Sequence, residues 1–331
     1  MNSFFDAHVR SLIESIRVLE RHITEPSQLQ SDLRMLRESL DLFETQEPNQ
    51  DDWLAKRLTS NKQNVGQQAT NMEIIRLTRT AVSLLNKLRD GEGIPFSRKW
   101  AEKANRVLEH VWNKQVTELR HKTASRVRGL YVIVDPEVTR RRPVIEVAQA
   151  AIAGGATVIQ LRNKRKDSGE ILQLTRELRS TCNQSGTLFI INDDAALTVA
   201  SSADGLHLGQ SDLPVQEAQL IIHPEQIVGR SNNNIREVLE SEAAGVDYLA
   251  IGAIFPTATM GKTGRDSVGV ETITIIKNMV DKPVVAIGGI NEINVTEVIA
   301  AGADAVCVVS AITLAKDPEK ETRRLAAKIW G

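Results

Sequence analysis

An amide and two cationic side chains alternate along the chain at Gln160, Arg162 and Lys164, where a run of apolar residues ends. In an extended backbone, alternate side chains point to the same side. Three such groups that converge suit the oxygens of a polyphosphate, which a guanidinium can bind through two parallel hydrogen bonds. A solvated run of charge is the alternative, but the alternation favours an anion site.

Gly288-Gly289 and Ser310 end two later apolar runs that are separated by an amphipathic segment. Glycines and a serine at two adjacent strand ends can aim backbone N–H groups at one anion, as in the phosphate sites that follow the last two strands of β/α barrels. A tight turn without a ligand is the alternative. Two anion pockets would suit two phosphorylated reactants, and no nucleophile–base pair for covalent catalysis is visible.

Two carboxylates, Asp193 and Asp212, come after the third and fourth apolar runs of the same region. Such a pair is typical of an acid–base dyad or of a Mg²⁺ site, because Mg²⁺ takes one or two carboxylates and completes its shell with water and substrate phosphate. With two anion sites predicted nearby, the metal interpretation is favoured. His207 lies among apolar neighbours, which favours a core histidine over a catalytic base. Asp194 is a candidate helix cap.

Eight short apolar runs alternate with amphipathic stretches from Gly129 onward. The runs are Leu130–Val134, Thr157–Leu161, Thr187–Ile191, Gly205–Leu208, Ile227–Val228, Tyr248–Ile251, Val284–Ile287 and Ala305–Val309. Parallel strands need crossover helices, so this alternation predicts an α/β fold, a (β/α)8 TIM barrel of about 200 residues. An open doubly wound sheet is the alternative, but Asp135-Pro136 stands after the first run in place of G-x-G-x-x-G.

Polar residues follow every one of these runs. Besides those named above they include Asn192, Ser231, Thr257 and Thr259. The carboxyl ends of barrel strands share one face, where barrel enzymes keep their active sites. The sequence therefore predicts an enzyme.

The first third of the chain holds apolar residues at helical spacing, in four stripes. The stripes are Val9, Leu12/Ile13, Ile16, Leu19 and Ile23; Leu33, Leu36, Leu40 and Phe43; Met72, Ile75, Val82, Leu85 and Leu88; and Ala104, Val107/Leu108, Val111 and Leu119. This predicts an all-α helical domain over residues 1–122, with a packing, interaction or dimerisation role. A basic linker is predicted at 123–128, and the barrel at 129–331.

The composition of the 331 residues limits the classes of binding partner that the protein is expected to have. Lys and Arg number 41 against 42 Asp and Glu, so no global field favours nucleic acid or an anionic membrane. Two cysteines, Cys182 and Cys307, imply no disulfide framework, and Cys307 is expected in the core. No signal-peptide or membrane-span pattern is present, which predicts a cytoplasmic protein with small-molecule partners. The oligomeric state stays open, homo-oligomers included.

Residues 129–331 resemble the thiamine-phosphate synthase family. The matching segments, in the family's order, are YVIVDP, QLRNK, INDDAALTVASSADGLHLGQSD, GRS, DYLAIGAIFPTAT, PVVAIGGI and GADAVCVVSAI. The resemblance implies a transferase that joins a hydroxymethylpyrimidine diphosphate to a thiazole phosphate, giving thiamine phosphate and pyrophosphate. The helical third is similar, more weakly, to an N-terminal extension of some bacterial members, notably cyanobacterial ones.

The resemblance also implies roles for the site residues. It implies Gln160, Arg162, Lys164 and Asn192 at the pyrimidine diphosphate, Asp193 and Asp212 on Mg²⁺, and Ser231 near the pyrimidine or diphosphate. It also implies Thr257 and Thr259 at the thiazole phosphate loop, and Gly289, Val309 and Ser310 at the thiazole phosphate, beside Gly288 of the predicted anion pocket. The implied mechanism is dissociative: Arg162, Lys164, Ser231 and Mg²⁺ act on the departing pyrophosphate, and the thiazole nitrogen attacks the methylene cation.

The chain departs from the family in the loop after the sixth strand. The family reads T-x-T-K there, with the lysine at pyrophosphate, whereas this chain has Met260 in that place and Lys262 two residues on. We predict that Lys262 substitutes. Loss of one cation without replacement would cost about 1.5–3 kcal/mol, the scale of a charged hydrogen bond.

Two rival functions remain open at this point. A thiazole tautomerase-like isomerase would carry its acid–base histidine two residues after Ser231, where this chain has Asn233. The second rival is a barrel that binds thiamine precursors without turnover, and Met260 is the feature that supports it.

Overall fold

The computed structural model describes residues 2–23, 27–41, 71–89, 98–164, 168–257 and 267–331. The chain forms two compact units, Met1–Leu119 and Arg120–Gly331. Thr259, Met260 and Lys262 lie outside the described residues, as does Phe43. The domain boundaries stay predictions, and the predicted linker at 123–128 begins within the last residues of a helix that ends at Ala124.

The described residues of the first unit lie mainly in helices. These are α1 (Asn2–His22), α2 (Gln28–Asp41), α3 (Asn71–Arg89) and α4 (Arg98–Ala124), the last of which ends in the second unit. Apolar residues three and four positions apart share a helix face, and here those faces form one buried core. Its members include Val9, Ile16, Leu33, Leu40, Leu85, Leu108 and Val111. The predicted helical stripes are confirmed where the structure describes them, and the all-α character of the whole unit stays a prediction.

The second unit is a closed barrel of eight parallel strands in sequence order, so the predicted TIM barrel is confirmed. The strands are β1 (Gly129–Val134), β2 (Val158–Leu161), β3 (Leu188–Asn192), β4 (Gly205–Leu208), β5 (Ile227–Asn232), β6 (Tyr248–Ile251), β7 (Val284–Ile287) and β8 (Ala305–Val308). Closure comes from β8 pairing with β1, with Ala305 opposite Gly129. Each predicted run falls on one of these strands.

Helices connect the strands and cover the barrel. They are α5 (Val144–Ala153), α6 (Ser168–Ser185), α7 (Ala195–Ala200), α8 (Val215–Ile221), α9 (Ile235–Ala243), α10 (Glu271–Lys277), α11 (Val295–Ala300), α12 (Ser310–Thr313) and α13 (Pro318–Trp330). Asp194 caps α7, since its side chain accepts a hydrogen bond from the Leu197 N–H at 2.7 Å. That predicted cap is confirmed.

Alternate strand residues belong to two different cores. Residues such as Leu130, Val132 and Val134 pack with the covering helices, whereas Tyr131 and Ile133 pack with the other strands inside the barrel. Burial on both faces explains why the strands are continuous apolar runs in the sequence. The inward positions at the carboxyl ends of the strands are the ones that carry polar side chains.

Three aspartates at the amino ends of alternate strands repeat one arrangement. Each accepts a backbone N–H from the preceding strand and forms an ion pair with a basic side chain. The sets are Asp204 with Phe189 N–H (2.8 Å) and Arg179 (2.9 Å), Asp247 with Val228 N–H (2.6 Å) and Arg120 (2.6 Å), and Asp304 with Val284 N–H (2.7 Å) and Lys277 (2.8 Å). This end of a barrel serves stability, so these residues hold the strands while the opposite end is left for chemistry.

Across the described part of the chain, none of the helices is both long enough and apolar enough to cross a membrane.

Candidate active site

A cavity of about 570 Å³ opens at the carboxyl ends of the strands. Every predicted site residue that the structure describes lines it: Gln160, Arg162, Lys164, Asn192, Asp193, Asp212, Ser231, Thr257, Gly288, Gly289, Val309 and Ser310. Thr259 and Lys262 lie outside the described residues. The residues predicted for the two anion pockets and the metal therefore meet in one place. What each of them binds stays a prediction.

Three of these residues belong to strands, although the sequence predicts two of them, Asn192 and Ser231, just after an apolar run. Gln160 is in β2, Asn192 ends β3, and Ser231 is in β5, which continues to pair with β6 as far as Asn232 opposite Ile251. Barrel pairing extends strands beyond their apolar runs, because a polar side chain can point into the cavity while its backbone stays in the sheet. Gln160 is buried and donates a hydrogen bond to the Asn192 Oδ1 at 2.9 Å.

Each of the two cations rests against a carboxylate. Arg162 forms an ion pair with Asp135, which follows β1 and is 1% exposed. The same carboxylate accepts the Glu137 N–H at 2.9 Å. Lys164 forms an ion pair with Asp193. The buried Asp135 thus fixes the direction of the Arg162 guanidinium toward the cavity, since a carboxylate holds a guanidinium in a defined geometry.

The carboxylates of Asp193 and Asp212 are hydrogen-bonded to each other. Burial, together with this hydrogen bond, raises the pKa of Asp193 to about 6, although the nearby Lys164 works against the rise. Burial alone would also raise the pKa of Asp212, but the hydrogen bonds from Asp193 and from the Gly209 N–H (2.6 Å) hold it below its ordinary value. A proton is therefore held more tightly on Asp193 than on Asp212.

The donor set fits Mg²⁺. Two neighbouring carboxylates offer hard oxygen ligands to a divalent cation, which would compete with a proton for them. Among the described residues no group of three or more His, Cys, Asp or Glu side chains could hold a metal. A site with two carboxylates leaves coordination positions for water and for phosphate oxygens, as Mg²⁺ sites at substrate phosphates do.

Gly288 and Gly289 pack directly against the chain that leaves β6. Both have a left-handed backbone, with φ of +103° and +69°. A Cβ on Gly288 would lie 2.6 Å from the Ala253 Cα, and one on Gly289 would lie 2.7 Å from the Phe255 Cβ. The Phe255 N–H also donates to the Gly288 carbonyl at 3.0 Å. The glycines make a tight turn and line the cavity, and their binding of an anion stays a prediction.

Ser310 begins the short helix α12 directly after β8, and Val309 precedes it. Arg142, from the loop after β1, donates to the Thr313 carbonyl at the end of α12 at 2.6 Å. This hydrogen bond connects the two loops that flank the β8–β1 junction. It holds the backbone of residues 309–313 where it lines the cavity.

A second group of polar side chains lies at the base of the cavity, and none of them is predicted from the sequence as part of the site. Tyr131, Tyr248, His207 and Cys307 all line it. His207 is buried and hydrogen-bonded at both ring nitrogens, as a core histidine is, but one of its partners is Ser231. The two tyrosines lie within predicted apolar strands. Their inward positions on β1 and β6 could have identified them, because an inward tyrosine needs a partner for its hydroxyl.

Fold and site together define the class: a (β/α)8-barrel enzyme with cations, paired carboxylates and a glycine turn around one cavity at the carboxyl ends of its strands. A model of the family described as thiamine monophosphate synthase matches residues 130–312. The chain belongs to the thiamine monophosphate synthase family.

Individual relatives agree with the family match. The chain is 42% identical over 196 residues to a thiamine-phosphate synthase of Moorella thermoacetica, covering 59% of this chain and 93% of that protein. It is 39% identical over 198 residues to one of Methanospirillum hungatei, covering 60% and 96%. A solved thiamine phosphate pyrophosphorylase of Pyrococcus furiosus is similar to 62% of this chain over 97% of its own length, with 36% identity and a TM-score of 0.57.

Proposed function

We propose that the barrel is a thiamine-phosphate synthase, which condenses 4-amino-2-methyl-5-(diphosphooxymethyl)pyrimidine with a thiazole phosphate and releases pyrophosphate. The observation that carries the proposal is the shared cavity, in which every described residue that the family resemblance implies comes together. The family match and the named relatives support the same reaction. Its partners are then two small phosphorylated molecules.

The charges around the cavity support a metal-dependent diphosphate site. The described charged side chains that line the cavity are Arg162, Lys164, Asp193 and Asp212, and their formal charges sum to zero. A neutral set attracts a diphosphate only weakly. A divalent cation on the two carboxylates makes the set net positive and leaves Lys164 available to the anion. When bound, Mg²⁺ would supply positive charge to the departing pyrophosphate.

The chain's own residues position and stabilise the leaving group. Arg162, held by Asp135, and Lys164 present cationic donors to the diphosphate oxygens, whose charge grows as the carbon–oxygen bond breaks. Gln160 and Asn192, hydrogen-bonded to each other, present the amide groups beside them. Ser231 adds a hydroxyl from β5. A leaving group that is stabilised in this way needs no protein nucleophile, and the methylene carbon is free for the thiazole nitrogen.

The second anion pocket is assigned to the thiazole phosphate. Gly288, Gly289, Val309 and Ser310 lie at the exits of β7 and β8 and line the same cavity as Arg162 and Lys164. Thr257 lines the same cavity from the β6 exit. We propose that Thr259 binds the thiazole phosphate and that Lys262 replaces the family's lysine at the pyrophosphate. Two pockets in one cavity hold both reactants in position, which removes the entropy cost of a bimolecular encounter.

The tautomerase-like rival loses support in the structure. Asn233, at the position where that activity would need a histidine, donates a hydrogen bond from its side-chain amide to Glu237 at 2.8 Å.

Residues 1–119 carry no proposed catalytic group. We infer that this unit is an all-α domain with a packing, interaction or dimerisation role, because its described helices share one apolar core.

The test is an assay of the purified full chain with both phosphorylated precursors and Mg²⁺. We expect thiamine phosphate and pyrophosphate in equal amounts. The Ser231→Ala variant, prepared in parallel, controls for contaminating synthase. Absence of product with undiminished binding of the pyrimidine diphosphate would favour the non-catalytic binding barrel and sink the proposal. Conversion of the thiazole phosphate alone into an isomer would identify a tautomerase.

A further inference from the structure

A chain of four hydrogen-bonded side chains crosses the base of the cavity. The hydroxyl oxygens of Tyr131 and Tyr248 are 3.1 Å apart, and the Tyr248 hydroxyl is 3.0 Å from the His207 Nδ1. The His207 Nε2 is 2.9 Å from the Ser231 Oγ. All four residues line the cavity. This series of hydrogen bonds therefore runs from the buried interior of the barrel to Ser231, at the mouth of the cavity.

One glycine inside the barrel leaves the space that the Tyr248 ring of this series occupies. Gly229 occupies the inward position of β5 just below Ser231, and a Cβ there would lie 2.0 Å from the Tyr248 Cζ. The Tyr248 ring fills that space and stacks on the His207 ring, with centroids 5.6 Å apart and an interplanar angle of 28°. Packing thus fixes both rings, so the hydrogen bonds form between groups that have little freedom to turn.

The protons that the four side chains carry determine the direction in which their hydrogen bonds run. Burial raises the pKa of Tyr131 and of Tyr248, so both phenols keep their protons at neutral pH and each has one to donate. Among the described residues, the Tyr248 hydroxyl is the acceptor that the buried Tyr131 O–H reaches, so we take Tyr131 as the donor of this pair. Tyr248 then donates to the His207 Nδ1.

The same direction determines what Ser231 offers to the cavity. A neutral imidazole whose Nδ1 accepts a hydrogen bond carries its proton on Nε2. His207 then donates to the Ser231 Oγ, and the Ser231 O–H is left to point at a ligand. In the opposite direction Ser231 would donate to His207 and turn its lone pairs toward the cavity, where they would repel an anion.

We propose that Tyr131, Tyr248 and His207 form a directed donor relay that holds His207 in its Nε2–H form and presents the Ser231 hydroxyl as a hydrogen-bond donor to an oxygen of the departing diphosphate. The choice of ligand rests on the proposed function. His207 and the two tyrosines are positioning residues, and Ser231 is the residue that touches the reactant. A donor fixed in advance costs no reorganisation when negative charge develops on the leaving group.

The direction can be measured without any turnover. Long-range ¹H–¹⁵N correlation spectra of protein labelled at histidine distinguish the protonated from the unprotonated ring nitrogen. The six histidines of the chain give six patterns, and the one that is lost in His207→Gln belongs to His207. We expect the Nε2–H form at pH 7.5, and a shift toward a mixture of forms in Tyr248→Phe. An Nδ1–H form or a doubly protonated ring in the unmodified protein would overturn the relay.

Kinetics test whether His207 acts through Ser231. His207→Leu removes the donor and should lower kcat by about 10–100-fold, the usual effect of losing a group that orients a site residue, with the KM of the diphosphate little changed. His207→Gln, which keeps an N–H near the Nε2 position, should recover most of the rate. In a Ser231→Ala background, His207→Leu should cause no further loss.

Additive losses in the double variant would show that His207 acts independently of Ser231 and would overturn the proposed route. An equal loss in His207→Leu and His207→Gln would show a packing role instead. The spectra remain interpretable in a chain that makes no thiamine phosphate. Failure of the proposed function and failure of the relay are therefore seen in different experiments.

Discussion

The ammonium group of Lys164 forms an ion pair with the carboxylate of Asp193, which is itself hydrogen-bonded to Asp212. The first of these residues comes from the predicted diphosphate site and the other two from the predicted metal site. Because these side chains are in contact, the predicted diphosphate site and the predicted metal site adjoin each other. A cation bound to the carboxylates would release Lys164 toward the anion, so we expect metal and diphosphate to strengthen each other's binding.

Replacement of Lys164 tests that connection. Lys164→Ala should lower kcat/KM for the pyrimidine diphosphate by about 10–150-fold, which corresponds to the 1.5–3 kcal/mol of a charged hydrogen bond. The loss should be larger at saturating Mg²⁺ than at low Mg²⁺, because Lys164 is engaged with Asp193 when the metal is scarce. Lys103→Ala, which removes an exposed cation of α4, is the control and should leave kcat/KM unchanged. An effect of Lys164→Ala that is equal at all Mg²⁺ concentrations contradicts the coupling.

Metal affinity should depend on pH through Asp193. Burial and the hydrogen bond with Asp212 raise the pKa of Asp193 to about 6, and the metal must displace that proton. Below pH 6 the proton competes with the metal, so apparent affinity should fall by about tenfold per pH unit, whereas above pH 6 it should level off. Mn²⁺ binding followed by electron paramagnetic resonance from pH 5 to pH 8 measures this. Asp193→Asn should bind more weakly and lose the dependence, and equal affinity of the unmodified protein at pH 5 and pH 7.5 would refute the assignment.

The approach of Gly289 to Phe255 should make its replacement more costly than that of another left-handed glycine. Gly186 has the same φ of +69° but nothing within 4 Å of its Cβ position, whereas a Cβ on Gly289 would lie 2.7 Å from the Phe255 Cβ. Gly289→Ala should therefore destabilise the protein by about 1–3 kcal/mol more than Gly186→Ala, the cost of overpacking. Urea unfolding of both variants gives the difference in the free energy of unfolding. Similar losses in the two variants would mean that the 253–256 segment moves aside without cost.

Asp247 should be important for stability but not for turnover. Its carboxylate accepts the Val228 N–H and pairs with Arg120, so Asp247→Ala leaves both without a partner and should cost about 1–3 kcal/mol. Glu319→Ala removes the exposed pair with Arg323 and should change the free energy of unfolding by less than about 1 kcal/mol. Thermal unfolding compares the two. A loss of kcat in the Asp247 variant at temperatures where it is folded would argue against a purely structural role.

The sequence by itself determined the barrel and most of its site. Strands buried on both faces must be apolar along their whole length, so runs such as Tyr248–Ile251 were visible directly, and residues at their carboxyl ends had to meet because closure brings all eight ends together. Gln160, Arg162 and Lys164 were predicted on this ground, and they line the cavity. The helical stripes of the first unit were visible for a similar reason, since one face of each helix packs in the core.

Only the tertiary structure decided which of these groups touch. The contacts of Arg162 with Asp135 and of Asp193 with Asp212 join residues from different strand ends, and their geometry depends on how the strands are staggered around the barrel. The chain from Tyr131 through Tyr248 and His207 to Ser231 takes its members from β1, β6, β4 and β5, which no spacing in the sequence relates. Closure of the barrel turns these inward residues into neighbours, because it places strands that are far apart in sequence around one narrow interior.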